Sequence, residues 1–373
     1  MQFSLRLLPV VAVCALAAGN PNPSLDVLPG MPPVLDAHNV YSADGPGMLS
    51  SAVRSDPARV YVPNSKSDTV DVIDPATFKI IGHFALPKHR KGRLEPQHVV
   101  PSWDLKKLWV AQDLGDQLTE IDPATGKPGE TIHVDDPYNM YYTPDGKYAI
   151  VMAEREKRID FRDAQTMQVT NKVPVNCEGV NHADFSIDGR YMIATCEFSS
   201  ELIKVDVAAQ KVLAHLKLEP KGMPQDCRIS PDGKVFYIAN MDSNGVHVID
   251  GEAFKQIQFI PTGKGAHGLY FSRDGKYVYV SNRGEGSISL LDLRTRKVAT
   301  KWTIPGGGSP DMGGVSADGK ELWLSGRYNS EVYVFDTSNG NLRARIKVGQ
   351  GPHGMCVWPQ PGRYSLGHTG NMR

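Results

Sequence analysis

Apolar and polar residues alternate with a period of two over short runs along most of this chain, and helical periodicity is nowhere sustained. Short alternating runs divided by tight polar turns predict antiparallel strands. The clearest turns are built on Asp-Gly. PSWDLKKLWV, with Asp-Leu in place of Asp-Gly, and TPDGKYAIV, SIDGRYMIA, SPDGKVFYIA, SRDGKYVYV and SADGKELWL place the turn aspartate at Asp104, Asp145, Asp188, Asp232, Asp274 and Asp318. Asp-Gly between such runs marks a hairpin because the turn needs positive φ. A weaker first copy, RSDPARVYVPN, surrounds Asp56.

A third strand follows in each unit and ends on an aspartate: Asp74, Asp122, Asp163, Asp206, Asp250, Asp292 and Asp336, at intervals of 48, 41, 43, 44, 42 and 44 residues. A fourth, weaker strand closes each unit, as in KIIGHFALP. Four short antiparallel strands per repeat of this length are the pattern of a β-propeller blade. Seven third strands predict an all-β, seven-bladed β-propeller of four-stranded antiparallel blades. Blade 1 lacks a convincing inner strand, whereas HGMCVW supplies a spare one near the C terminus. The C-terminal strand is therefore expected to complete blade 1, which removes an open sheet edge. An eight-bladed ring that uses NVYSAD is the alternative.

The first residues, MQFSLRLLPVVAVCALAAG, combine Arg6, an apolar run from Leu7 to Leu16 and small residues after it. That is the layout of a secretory signal. The expected organisation is a signal peptide over 1–18, an extended N-terminal arm over 19–48, the propeller over 49–360 and a polar C-terminal tail over 361–373. A periplasmic or secreted protein follows. No other stretch reaches the roughly 18 apolar residues that span a bilayer. Of the remaining cysteines, Cys177 and Cys196 flank one predicted hairpin; an exported chain can pair them, or bury both as small apolar residues.

Lys+Arg and Asp+Glu number 41 each, so the chain is formally neutral and a general polyanion-binding role is disfavoured. PKHRKGR (87–93) reads as a solvated loop rather than a nucleic-acid patch. GGGSPDMGG (306–314) is followed by no helix, so the phosphate-cradling mechanism is missing. Nucleophile elbows, HExxH and GxxxxGK[ST] are absent from the sequence.

VYVPN (60–64), FYIAN (236–240) and VYVSN (278–282), each followed by a strand like xVxVID, resemble the YVTN-type β-propeller repeat family of the exported, YncE-like kind. The resemblance covers roughly residues 45–360. It implies a seven-bladed exported propeller and no particular reaction, because such relatives range from surface-layer proteins to lactonases and haem d1 propellers.

Aligning the units on their turns exposes a second regularity. The inner strand of each opens on His98, Asn139, His182, Asp226, His267, Asp311 and His353. The first four precede the turn aspartate by six residues, the next two by seven, and His353 precedes Gln360 by seven. The offset suggests a bulge or a changed entry angle. Inner strands line the central channel, so these side chains are expected to converge on one axis. Imidazoles and carboxylates suit a divalent transition metal, and His98, His182, His267 and His353 together favour Cu or Zn over Ca or Mg. Hydrogen-bonded lining of a wet channel mouth is the plainer reading of the same residues.

The second strand returns to the same rim and brings Glu154-Arg155, Cys196-Glu197, Asn282-Arg283 and Gly326-Arg327. Arg155, Arg283 and Arg327, with Asn139, are candidates to hold a carboxylate or phosphate. Asp226, Asp311 and Glu197 are the candidate acid–base groups. Three functions fit. One is an exported binding protein that holds a metal ion or small anionic ligand at the channel mouth, or docks a protein partner on a face. Another is a copper or zinc enzyme, an oxidoreductase or a hydrolase such as a lactonase. The third is a haem d1-type cofactor-handling propeller.

Overall fold

The computed structural model describes residues 25–89, 91–368 and 370–373. The expected signal peptide lies outside them. The described strands form seven four-stranded antiparallel sheets, and a single 3-10 turn, Glu197–Ser199, is the one helical element among them. Blade 1 consists of Arg59–Asn64, Thr69–Asp74 and Lys79–Ala85, with Cys356–Trp358 added as its inner strand through Tyr61↔Cys356 and Arg59↔Trp358 pairing. The ring closes as expected, with seven blades. The eight-bladed alternative is not what forms.

Hydrophobic packing follows from the closure. The buried apolar residues fall into seven clusters, each spanning two adjacent blades. Tyr61, Val70 and Trp358 of blade 1 meet Val99 and Val110 of blade 2, for example, and Val60 and Val357 meet Trp323 and Val334 of blade 7. Both faces of the inner and middle strands are buried, while the fourth strands, such as Lys211–Lys217, alternate between half-buried and exposed positions. The axis is left to polar side chains.

The inner turns show why Asp-Gly recurs. In each, a hydroxyl two residues earlier donates to the aspartate, as Ser186 Oγ does to Asp188 and Ser230 Oγ to Asp232. These turns form one rim of the ring. The arm lies across it: Leu28 N–H donates to Asp188 O, Val40 N–H to Pro231 O and Gly47 N–H to Ala317 O. Cys177 and Cys196 are disulfide-bonded, and Cys227 and Cys356 are free and buried.

The C-terminal segment departs from a polar tail. Tyr364, Leu366, His368, Asn371, Met372 and Arg373 are all buried. After blade 1 the chain turns back through the arm-covered rim and enters the channel. Ser365 N–H donates to Trp103 O, Tyr142 N–H to Leu366 O and His368 N–H to Met140 O. Gly367 lies against the inner strand of blade 3 with φ near +110°, and a Cβ there would stand 2.4 Å from Met140 O. Arg373 pairs with Asp184, while Arg228 binds Gly370 O and Asn371. Composition concealed this plug, because several of its polar groups bond to the channel wall and not to water.

Candidate metal centre on the propeller axis

The inner strands open at the rim opposite the arm. Register confirms that the ends of the second strands return there, since Pro96 pairs with Gln112, Val180 with Cys196 and Pro310 with Gly326. Each of the six inner strands from blade 2 to blade 7 carries a register irregularity at or beside the ring residue. A bulge spends a residue without a ladder partner and re-aims its side chain. Here it turns His, Asp or Asn toward the axis.

All seven ring residues are at most 2% exposed. They stand on two levels. His98, Asn139, His182 and Asp226 occupy the third position of their strands, whereas His267 and Asp311 occupy the second. One residue of strand is worth about 3.3 Å, so the second group lies nearer the mouth. His353 bridges the two: its Nε2 is 3.7 Å from Asp311 Oδ2, and its ring centroid is 4.8 Å from that of His98.

The deeper level contains a residue that the repeat could not reveal. His368, at the tip of the C-terminal plug, places Nε2 3.7 Å from Asp226 Oδ1. The rings of His98, His182 and His368 stand edge to face, with centroids 5.4, 5.0 and 4.8 Å apart. Candidate ligand atoms of His182, Asp226 and His368 lie within 4.8 Å of one another, as do those of His267, Asp311 and His353. Both nitrogens of His98, Nε2 of His182, Nε2 of His368 and Nδ1 of His353 have no hydrogen-bond partner among the described residues. Buried polar atoms are ordinarily satisfied. Gly354 makes room for this crowding, because a Cβ on it would stand 1.9 Å from His98 Nδ1.

Burial keeps these imidazoles neutral, the state that ligates a cation. It drives His98 down to about 3 and holds His182, His353 and His368 well below the ordinary histidine value. The two aspartates diverge. Burial pushes Asp226 up to about 7, although it accepts the N–H groups of Cys227 and Leu269. Burial also opposes ionisation of Asp311, but Arg283, His267 and His353 outweigh it and hold that carboxyl well below the usual range. Arg283 Nη1 is 3.3 Å from Asp311 Oδ1, and His267 Nδ1 is 2.9 Å from the same oxygen. Met312 adds a soft donor, its Sδ 3.1 Å from His267 Nδ1.

The remaining candidates divide. Asn139 lies in the crown, its Nδ2 3.2 Å from Nδ1 of His182 and of His368. Arg283 reaches the outer level. Arg327 instead binds Ser65 Oγ and Gly351 O between blades 7 and 1. Arg155 is not gathered to the axis, because Asp113, Asp116 and Asp136 hold its guanidinium between blades 2 and 3. Glu197 accepts from Asn181, one residue before His182, and burial raises its carboxyl. Nearby Glu154 is pushed up to about 9 by burial and then by Glu197.

A family model described as YNCE-like beta-propeller matches residues 35–362. The chain belongs to that family. Among curated relatives of this YncE-like propeller, antigen Lp49 of Leptospira interrogans is 29% identical over 167 residues, covering 38% of this chain and 36% of the relative. Dihydro-heme d1 dehydrogenase of Pseudomonas aeruginosa is 22% identical over 241 residues, covering 61% and 48%. The chain thus spans half or less of the length of these two relatives. YncE of Salmonella typhimurium is 21% identical over 297 residues, covering 71% and 76%. Among solved structures, Kuenenia stuttgartiensis hydrazine synthase aligns with a TM-score of 0.64 at 20% identity, covering 80% of this chain and 97% of that one. At such identity the likeness is one of fold. No helix among the described residues is long and apolar enough to cross a membrane.

Proposed function

We propose that this YncE-like propeller is an exported binding protein that holds one divalent transition-metal ion, copper or zinc, in its axial crown. One observation carries the reading: buried imidazoles from four different elements face one another with unpartnered nitrogens, beside a buried carboxylate. Leaving such groups unsatisfied costs about 1–3 kcal/mol each, and a cation supplies the missing partner. The donor set is nitrogen-rich, which suits copper or zinc and not calcium. The Cys177–Cys196 disulfide supports an oxidising compartment.

A metal-dependent enzyme is the second reading. It is favoured by Glu154, a buried carboxyl kept protonated at neutral pH near the rim, where a proton donor would serve a reaction on the ion. The crown supports an ion over a tetrapyrrole, because imidazole centroids 4.8–5.4 Å apart leave no room for a macrocycle between the rings.

The test is metal content and zinc or copper titration of the full chain purified without chelators, with thermal unfolding as a control of folding. The account expects near-stoichiometric, tight binding that His98→Ala combined with His182→Ala abolishes. A wild-type protein that takes up neither metal refutes the reading, and so does a folded double variant with undiminished stoichiometry.

A further inference from the structure

We infer that the ion occupies the deeper level, held by His182, Asp226 and His368 with His98 beside them, and that the C-terminal plug is both ligand donor and door. This rests on the proposed metal reading and assigns the site and its control within it.

Geometry selects the deeper level. Three imidazoles bound tetrahedrally to one ion at about 2.0–2.1 Å have ring centroids about 5 Å apart. The rings of His98, His182 and His368 already stand at 5.4, 5.0 and 4.8 Å. Nε2 of each of the three has no hydrogen-bond partner among the described residues, and the fourth donor, Asp226, is fixed by two backbone N–H groups. The outer level is already occupied in this sense: Asp311 is engaged by Arg283 and His267.

Asn139 is the positioning residue. It touches Nδ1 of both His182 and His368, so it determines which nitrogen of each ring carries the proton. Ligation through Nε2 requires Nδ1 to carry it, so the amide must turn about χ2 to present its oxygen and give up the bond that Oδ1 accepts from Met140 N–H.

The plug follows from access. Every donor of the deeper level is at most 1% exposed, so an ion cannot arrive without displacement of some element. On the mouth side stand His267, Asp311 and His353, on inner strands or closure segments tied into the ring. On the other side stands segment 361–373, which belongs to no blade and is held by isolated bridges and by side-chain bonds such as Arg373 to Asp184. A segment held by isolated bridges undocks at lower free energy than a strand laddered within a closed ring. Withdrawal of the plug removes His368 and opens the channel; seating restores the ligand and seals the ion in. Ion binding and plug seating are then linked reciprocally.

Hydrogen exchange of the intact wild-type protein with and without zinc tests this directly, together with zinc titration of His368→Ala and His353→Ala. We expect zinc to slow exchange of amides in 363–373 at least tenfold, His368→Ala to weaken zinc binding at least a hundredfold, and His353→Ala to change it less than fivefold. Zinc bound by wild type with unchanged exchange in the plug would overturn the inference while leaving the metal reading intact. So would a His368→Ala affinity within threefold of wild type, or a hundredfold loss in His353→Ala. Absence of zinc binding to wild type would sink both.

Discussion

Glu154 shows what a single buried carboxyl does to this molecule. Its Oε1 has no partner among the described residues, and its acid is raised from 4.5 to about 9. In the folded chain it therefore stays protonated over a range in which the unfolded chain has lost the proton. A folded state that binds more protons loses stability as pH rises, here from about 4.5 toward about 9. One pKa unit corresponds to about 1.4 kcal/mol. Glu154→Gln is expected to be more stable than wild type by at least about that amount near pH 8.5, with the difference vanishing near pH 4.5. Urea unfolding at the two pH values measures it. Residue identities at the crown were readable in the chain because the repeat superposes them; the hydrogen-bonding of Arg155 was not. Its three aspartates lie on loops of neighbouring blades, and nothing in local spacing shows that they outcompete the axis.

At the level of elements, the offset between six- and seven-residue spacings is a one-residue difference in where the axial residue sits along otherwise equivalent strands. The inner strands of blades 2 to 5 place the axial residue third and those of blades 6 and 7 place it second, yet all six break register nearby. Sequence spacing exposes the shift but not its consequence, which is two levels of donors instead of one crown. The closing segment has its own requirement. Gly354 N–H donates to Gln97 O and Val99 N–H to Gly354 O, which holds the glycine against the blade 2 strand beside His98. Gly354→Ala would drive a methyl group into the His98 imidazole. Overpacking of this kind costs about 1–3 kcal/mol. The variant should lose that much stability in urea and bind zinc at least tenfold more weakly; unchanged values for both would show that His98 has no fixed seat.

For the whole molecule, circular closure does two things at once. It buries seven apolar interfaces between blades, and it excludes apolar residues from the axis, where seven strand openings meet at close quarters. The architecture was legible because period-two runs and terminal aspartates repeat seven times, with Asp-Gly in five of the turns between them. The plug was not, because 361–373 falls outside the repeat and its residues become buried only once a channel exists to receive them. His368 is the clearest loss: flanked by Gly367, it looked like tail, and it lies buried against His182 and His98 on the axis. Dihydro-heme d1 dehydrogenase and hydrazine synthase share the fold.

X-ray absorption at the zinc edge of the zinc-loaded, full-length protein tests most directly whether ring closure builds a metal centre. The account predicts a four-coordinate shell of imidazole nitrogens and one carboxylate oxygen at about 2.0–2.1 Å, with the outer scattering of about three histidine rings. A shell of oxygen atoms alone, or one with fewer than two imidazoles, would contradict it.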